Sequence, residues 1–291
     1  DGNTAVVVEV NSETDFVAKN AIFQEFVQAV ADKALTVDTE KAGDGEDVVS
    51  ILDMKADLDD KILKIGEKIS IRRFEKVTAD VVASYIHGGG RIGVLVAGNG
   101  ASDDAAKEAL TNIAMQIAAM NPQYISRDEI SADELAKMKE ITIDSALNDP
   151  FSLPKPVLSK LIEKAVASVW SAEDVAIYEE KKSNMNFLPN FLSKEAKAQL
   201  AEIACADKEE ISGNKIFSGL VEGRISKQMK EICLLDQVYV KAEDGKQTVA
   251  AYLKSVNPAL KIAKFVRFEV GEGMEKKNED FAAEVAKQMN V

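Results

Sequence analysis

The chain opens on Val6-Val7-Val8-Glu9-Val10, a β-branched run that reads as a buried strand. Ser12, followed by Asp15 three residues on, reads as a helix start with a hydroxyl cap and an acid in the first turn. Phe23, Phe26, Val27, Val30, Ala31 and Ala34 then recur at helical spacing and predict an amphipathic helix over about residues 21–35. Gly43-Asp44-Gly45 punctuates it, and a second helix is expected over 47–64. A strand is expected over 66–77, and two more over 80–87 and 91–97, with Gly88-Gly89-Gly90 between them as a hairpin turn. This pattern predicts a small sheet with helices on one face.

Gly98-Asn99-Gly100 ends the sheet, and Ser102-Asp103 caps a helix whose apolar stripe is Leu110, Ile113, Ala114 and Ile117. Ser131 and Glu134 form a capping box for a helix reaching about residue 148, after which Asp149-Pro150, Pro154 and Pro156 break the chain. Leu158, Leu161, Ile162, Ala165, Val166 and Val169 restore helical spacing. Ser171 starts another helix, and further helices are expected over 193–206 and 208–233. Residues 237–240 read as strand, 248–256 as helix and 261–270 as strand. Val266-Arg267-Phe268-Glu269-Val270 echoes the opening run, and Asp280-Phe281-Ala282-Ala283 echoes Asp15-Phe16-Val17-Ala18, so two related α/β subdomains are expected.

With 291 residues, about two domains with real cores are possible. Asp plus Glu is 49 against 36 Lys plus Arg, a formal charge of −13, which disfavours direct binding to a phosphate backbone. Cys205 and Cys233 are far apart with no metal-ligand spacing and read as buried, reduced thiols of a cytoplasmic protein. No apolar stretch approaches a membrane span, and no basic-then-apolar leader opens the sequence. The absence of an initiator Met suggests a trimmed chain.

Candidate chemistry is sparse. Gly88-Gly89-Gly90-Arg91-Ile92-Gly93 formally matches a dinucleotide-binding glycine pattern, but that chemistry needs a helix N-terminus after the motif. Here a strand, Val94-Leu95-Val96-Ala97, follows, so a hairpin turn is the better reading. His87 is the only histidine, and no Ser or Cys is paired with it by pattern. Runs such as Glu179-Glu180-Lys181-Lys182 read as solvated helix faces. The expectation is a protein that is not an enzyme, works by binding, and uses no cofactor and no metal. Phe16 stands out as a bulky aromatic at a strand-to-helix corner. Either it folds back as a hydrophobic staple, or Asp15-Phe16 protrudes as an anchor for a partner.

Thr14-Asp15-Phe16-Val17-Ala18-Lys19-Asn20 closely resembles the signature of the bacterial translation elongation factor Ts family. Three more blocks agree in order: Lys64-Ile65-Gly66-Glu67-Lys68-Ile69-Ser70-Ile71-Arg72-Arg73, then the run from His87 to Val96, then Phe265-Val266-Arg267-Phe268-Glu269-Val270-Gly271-Glu272-Gly273. The resemblance covers roughly the first half and the last quarter of the chain. It implies an α+β fold of two related small α/β subdomains with antiparallel sheets, plus a projecting helical hairpin or coiled coil. The expected layout is an N-terminal core over 1–125, coiled-coil helices over 126–149 and 208–233, an inserted helical subdomain over 150–207, a C-terminal core over 234–276, and a final helix over 277–291. The family's small N-terminal helical module is expected to be missing.

The resemblance implies a guanine-nucleotide exchange factor for the GTPase elongation factor Tu, with no direct nucleic acid, membrane or small-molecule substrate. By this likeness Thr14, Asp15 and Phe16 form a tip that enters near the GTPase's Mg²⁺ and phosphate site. Ile92 and Gly93 match further contacts on the GTPase domain. Gln116 falls where better-known members have a histidine that grips another domain of the GTPase; an amide still hydrogen-bonds. Val240 falls at a contact near the start of the second subdomain, and the segment from Glu279 to Met289 at a C-terminal contact. The alternative function is an interaction scaffold derived from the family, whose insert binds another partner.

Overall fold

The computed structural model describes residues 3–43 and 45–274. These form two compact units: the N-terminal segment through Asn121 together with the segment from Tyr239 onward, and Pro122–Val238.

In the first unit β1 (Thr4–Ser12) leads into a single helical turn, α1 (Asp15–Ala18), and then α2 (Ala21–Thr36). Asn20 caps α2 by accepting from the Ile22 amide at 2.8 Å. Phe23, Phe26, Val30 and Ala34 make its buried face, as their spacing predicts. After a short β2 (Lys41–Ala42), the expected helix over 47–64 is two, α3 (Val48–Ile51) and α4 (Lys55–Ile65). They are separated at Asp53, whose φ of 50° is left-handed and ends the helical path. Strand β3 (Ile69–Thr78) pairs antiparallel with β1 on one side and β2 on the other. Ile69, Ile71 and Phe74 of β3 join the α2 face in one apolar core.

The second sheet begins with β4 (Val81–His87) and β5 (Ile92–Asn99), joined through Gly88, Gly89 and Gly90. All three glycines have positive φ (62°, 67° and 95°), which a hairpin tolerates and a side chain would resist. Helix α5 (Asp104–Met120), capped by Asp103 at 2.9 Å from the Ala106 amide, buries Leu110, Ile113, Ala114 and Ile117.

The chain then builds the second unit from α6 (Ala132–Asn148), α7 (Lys155–Ser168), α8 (Ala172–Lys181), α9 (Lys194–Ala206), α10 (Lys208–Ser212) and α11 (Lys215–Ile232). The Ser131–Glu134 capping box is present. The single helix expected over 208–233 is divided, because the Asn214 side chain accepts from the amides of Ile216 and Phe217 and so starts a new helix. One core takes Ala146 and Leu147 from α6, Leu158 and Ile162 from α7, Leu200 from α9 and Phe217 and Val221 from α11. Apolar packing therefore runs without a gap across residues 150 and 208, where a separate insert was expected to begin and end.

Back in the first unit, α12 (Val249–Val256) precedes β6 (Lys261–Glu269), which pairs antiparallel with β5. The fold is α+β with two three-stranded antiparallel sheets, ordered β1-β3-β2 and β4-β5-β6. The second sheet draws two strands from the N-terminal half and one from the C-terminal segment. The boundary expected near residue 234 thus does not separate two self-contained sheets. Val7, Val77, Leu95, Ala97 and Val266 form the apolar layer between them. Residues 237–240 make no strand: the Gln237 side chain donates to the Glu231 carbonyl, and the Tyr239 amide bonds the Gln247 carbonyl. The expected helix over 277–291, with Glu279 to Met289 and the Asp280-Phe281 echo, lies outside the described residues.

Candidate functional site

The corner between β1 and α1 is pinned from several sides. Thr14 is the N-cap of α1, its hydroxyl accepting from the Val17 amide at 3.4 Å. The Thr14 amide and hydroxyl both donate to the Glu67 carboxylate, at 3.1 and 2.8 Å. The Lys68 amide donates to Glu13 at 3.2 Å, and the Ser12 hydroxyl donates to the Thr14 carbonyl at 3.0 Å. On this anchored turn Val17 is 7 % exposed and packs into the α2–β3 core. Phe16 is 80 % exposed. The staple reading of Phe16 is therefore wrong: Val17 takes the inward position, and Phe16 stands in solvent beside Asp15. Asp15 itself pairs loosely with Lys19 at 3.6 Å.

Ile92 and Gly93 begin β5 and so belong to the second sheet, opposite His87 and Ile86 of β4. Ile92 is half-buried and Gly93 is buried. A Cβ at Gly93 would lie 2.8 Å from Val7 Cγ2, so the missing side chain is what lets β5 approach β1. His87 is exposed, with Nδ1 at 3.0 Å from the Tyr85 hydroxyl.

Gln116 and Val240, far apart in sequence, are brought together. Gln116 is fully buried on α5, and its Oε1 accepts from the Val240 amide at 2.7 Å. Val240 is 48 % exposed. Around them Lys241 donates to Asn112 at 2.7 Å, Asn112 donates to the Tyr252 hydroxyl at 2.9 Å, and the rings of Tyr239 and Tyr252 stack at 4.1 Å. Burial, reinforced by the Tyr252 hydroxyl, pushes the Tyr239 phenol well above its ordinary value. Sequence reasoning placed Gln116 as a contact residue but missed that its amide is used internally. It also gave no role to Glu67, although that residue lies in the second family-like block, just after the glycine that ends α4. No three His, Cys, Asp or Glu side chains among the described residues are grouped to hold a metal ion. No helix among them is long and apolar enough to cross a membrane.

Phe16 is thus an aromatic displayed in solvent on a corner whose backbone is held by internal hydrogen bonds. Residues 13–272 match the family described as Elongation factor TS. Elongation factor Ts of Clostridioides difficile (strain 630) is 39 % identical over 295 residues, covering 99 % of this chain and 77 % of that protein. Elongation factor Ts of Clostridium novyi (strain NT) is 35 % identical over 305 residues, covering 100 % of this chain and 78 % of that protein. The chain belongs to the elongation factor Ts family. The match spans almost the whole chain, the helical residues 150–207 included.

Proposed function

We propose that this protein promotes release of GDP from elongation factor Tu by placing the Asp15–Phe16 tip against the GTPase near its Mg²⁺ and phosphate site. The family's general role, guanine-nucleotide exchange on that GTPase, is the frame for this reading. The observation that carries it is the exposure of Phe16 on a corner that Thr14 and Val17, on either side of the tip, tie down. A solvent-exposed aromatic contributes little to the fold, whereas the same ring buried in a partner is a typical hot spot. Nucleotide affinity in such GTPases rests on the metal and the backbone cradle, and displacing either weakens GDP binding. Linkage makes the effect reciprocal: the factor by which this chain lowers GDP affinity is the factor by which GDP lowers its own.

In this reading Thr14 acts by holding the tip, since its hydroxyl and amide are already engaged. Ile92 offers a half-buried aliphatic side chain, and Gly93 sets the position of the strand that carries it. Gln116 serves by fixing the backbone of Val240, whose side chain is the exposed member of the pair. That differs from a direct grip by the residue at position 116.

The deciding experiment is Phe16→Ala, read by thermal melting and by the rate of GDP release from elongation factor Tu. Truncating an exposed side chain is expected to change stability by about 0.5 kcal/mol or less. Losing a hot-spot contact of about 2 kcal/mol is expected to weaken the complex more than tenfold and slow release accordingly. Normal release by a folded Phe16→Ala protein would overturn the wedge.

A further inference from the structure

Two carboxylates cross between the β1–α1 corner and the turn that follows α4, each bonding the other segment's backbone. Glu67 receives the Thr14 amide at 3.1 Å, and Glu13 receives the Lys68 amide at 3.2 Å. Glu67 also accepts a hydrogen bond from the Thr14 hydroxyl, whose oxygen lies 2.8 Å from Oε1 and 3.1 Å from Oε2. A threonine hydroxyl has one proton to give. Directing it to Glu67 leaves the oxygen's lone pairs for the Val17 amide, the bond that starts α1. Gly66 makes this approach possible: its φ of 80° reverses the chain directly after α4, which brings Glu67 round to the corner.

A helix of four residues has no stability of its own, because nucleation costs more than one turn of hydrogen bonds returns. The direction in which Phe16 points is therefore set by Val17 packed in the core beneath the turn and by what holds Thr14 at its start. From these contacts we infer that Glu67 is a positioning residue for nucleotide exchange: it aims the Phe16 tip without touching the partner. This inference rests on the wedge reading above and assigns a role to a residue which that reading does not include.

Full-length Glu67→Ala, Phe16→Ala and the double variant would be compared by circular dichroism melts and by GDP release from elongation factor Tu, at limiting and at saturating concentrations of this chain. The expected result is a melting point for Glu67→Ala close to wild type with about a tenfold loss in release, since small misplacement of a contact group is costly. In the Phe16→Ala background the same change should cost less than about twofold, because a misaimed tip that has lost its ring has little left to lose. Glu67 acts on the Phe16 turn through its bonds to Thr14, so such non-additivity would not arise from a general loss of fold. Glu67→Gln keeps one oxygen acceptor for the Thr14 hydroxyl and should restore part of the rate; it also provides a folded variant should the alanine melt too low. Full release by Glu67→Ala, or losses that multiply independently in the double variant, would overturn the inference. Normal release by Phe16→Ala would instead bring down the wedge itself, so the two failures are told apart.

Discussion

Among the described residues each unit buries one carboxylate, and the two are satisfied by opposite means. Glu9, in the middle of β1, sits between two guanidinium groups, with Arg72 Nη1 at 3.0 Å and Arg73 Nε at 2.6 Å. The Gly271 amide, just past β6, donates to it at 3.0 Å and Asn11 at 3.2 Å, while Arg73 lies 4.1 Å over the Phe268 ring. Asp174, in α8 of the helical unit, is held by neutral donors alone: the Ser193 amide and hydroxyl at 2.9 Å each and the Ser171 hydroxyl at 2.8 Å. No cation among the described residues pairs with it. Glu9 ties β1 and β3 of the first sheet and the exit of β6 into one charged knot, whereas Asp174 joins the starts of two helices, since Ser171 caps α8 and Ser193 caps α9. A charged knot is unforgiving, because removing one member strands the others. A cap shared by hydroxyls can relax, since hydroxyls rotate.

The largest expected effect follows directly. Glu9→Ala removes the most buried counter-charge of two largely buried arginines and is expected to cost about 3–5 kcal/mol. Asp174→Asn keeps an oxygen that accepts from the Ser193 amide and is expected to cost about 1–2 kcal/mol. Urea denaturation of both variants checks the ranking. If Asp174→Asn proved as damaging as Glu9→Ala, the distinction between charged knot and relaxable cap would fail.

Acid should reveal the same pair. Burial alone would push the Glu9 carboxyl up, but the Gly271 amide, Arg72, Arg73 and Asn11 together hold it below the ordinary 4.5. For Asp174 burial is likewise outweighed, here by the Ser193 amide and the two serine hydroxyls, which hold it below 3.8. A folded-state value below the unfolded one means stability present above the unfolded value and lost as pH falls through the folded one. Loss from Glu9 therefore begins below about pH 4.5, and loss from Asp174 joins it below about 3.8. Urea midpoints measured from pH 6 downward should fall through this range, and Glu9→Gln should flatten the upper part of the fall. An unchanged slope in that variant would show that Glu9 does not couple to folding.

Periodicity made much of this architecture readable. The α2 face, the capping box at Ser131 and the glycine hairpin all follow from local pattern, and each is where the pattern puts it. The sequence did not disclose which exposed-looking residue a distant segment would claim. Glu9 is the one charged residue in a valine run that reads as a buried strand; the partners that satisfy it there, Arg72, Arg73 and Gly271, come from remote parts of the chain and no local pattern announces them. The strand expected over 237–240 failed for the same reason, since the Val240 amide is taken by the Gln116 side chain and not by a neighbouring strand. The break at Asp53 depends on a left-handed backbone that composition does not signal. At the site, the signature pointed to Asp15 and Phe16, but whether the aromatic turned in or out depended on Val17 filling the core beneath it.

The smallest effect belongs to the carboxylate at the tip itself, which extends the comparison to a charge left in water. Asp15 and Lys19 are one helical turn apart, with the acid on the N-terminal side, the favourable order for such a pair. Their separation is 3.6 Å, and their side chains remain 67 % and 77 % exposed. Two unit charges at about 4 Å in water attract by only about 1 kcal/mol, and ordering two side chains removes part of that. The coupling between them, measured by melting the Asp15→Ala, Lys19→Ala and double variants, should be about 0.3 kcal/mol and should fade as salt is raised. Lys19→Ala alone should leave the melt nearly unchanged. Its effect on GDP release should be under about threefold, because Thr14 and not Lys19 holds the corner, and a coupling of this size cannot aim a side chain. A salt-insensitive coupling above about 1 kcal/mol would place Asp15 with the buried carboxylates and reverse the ranking.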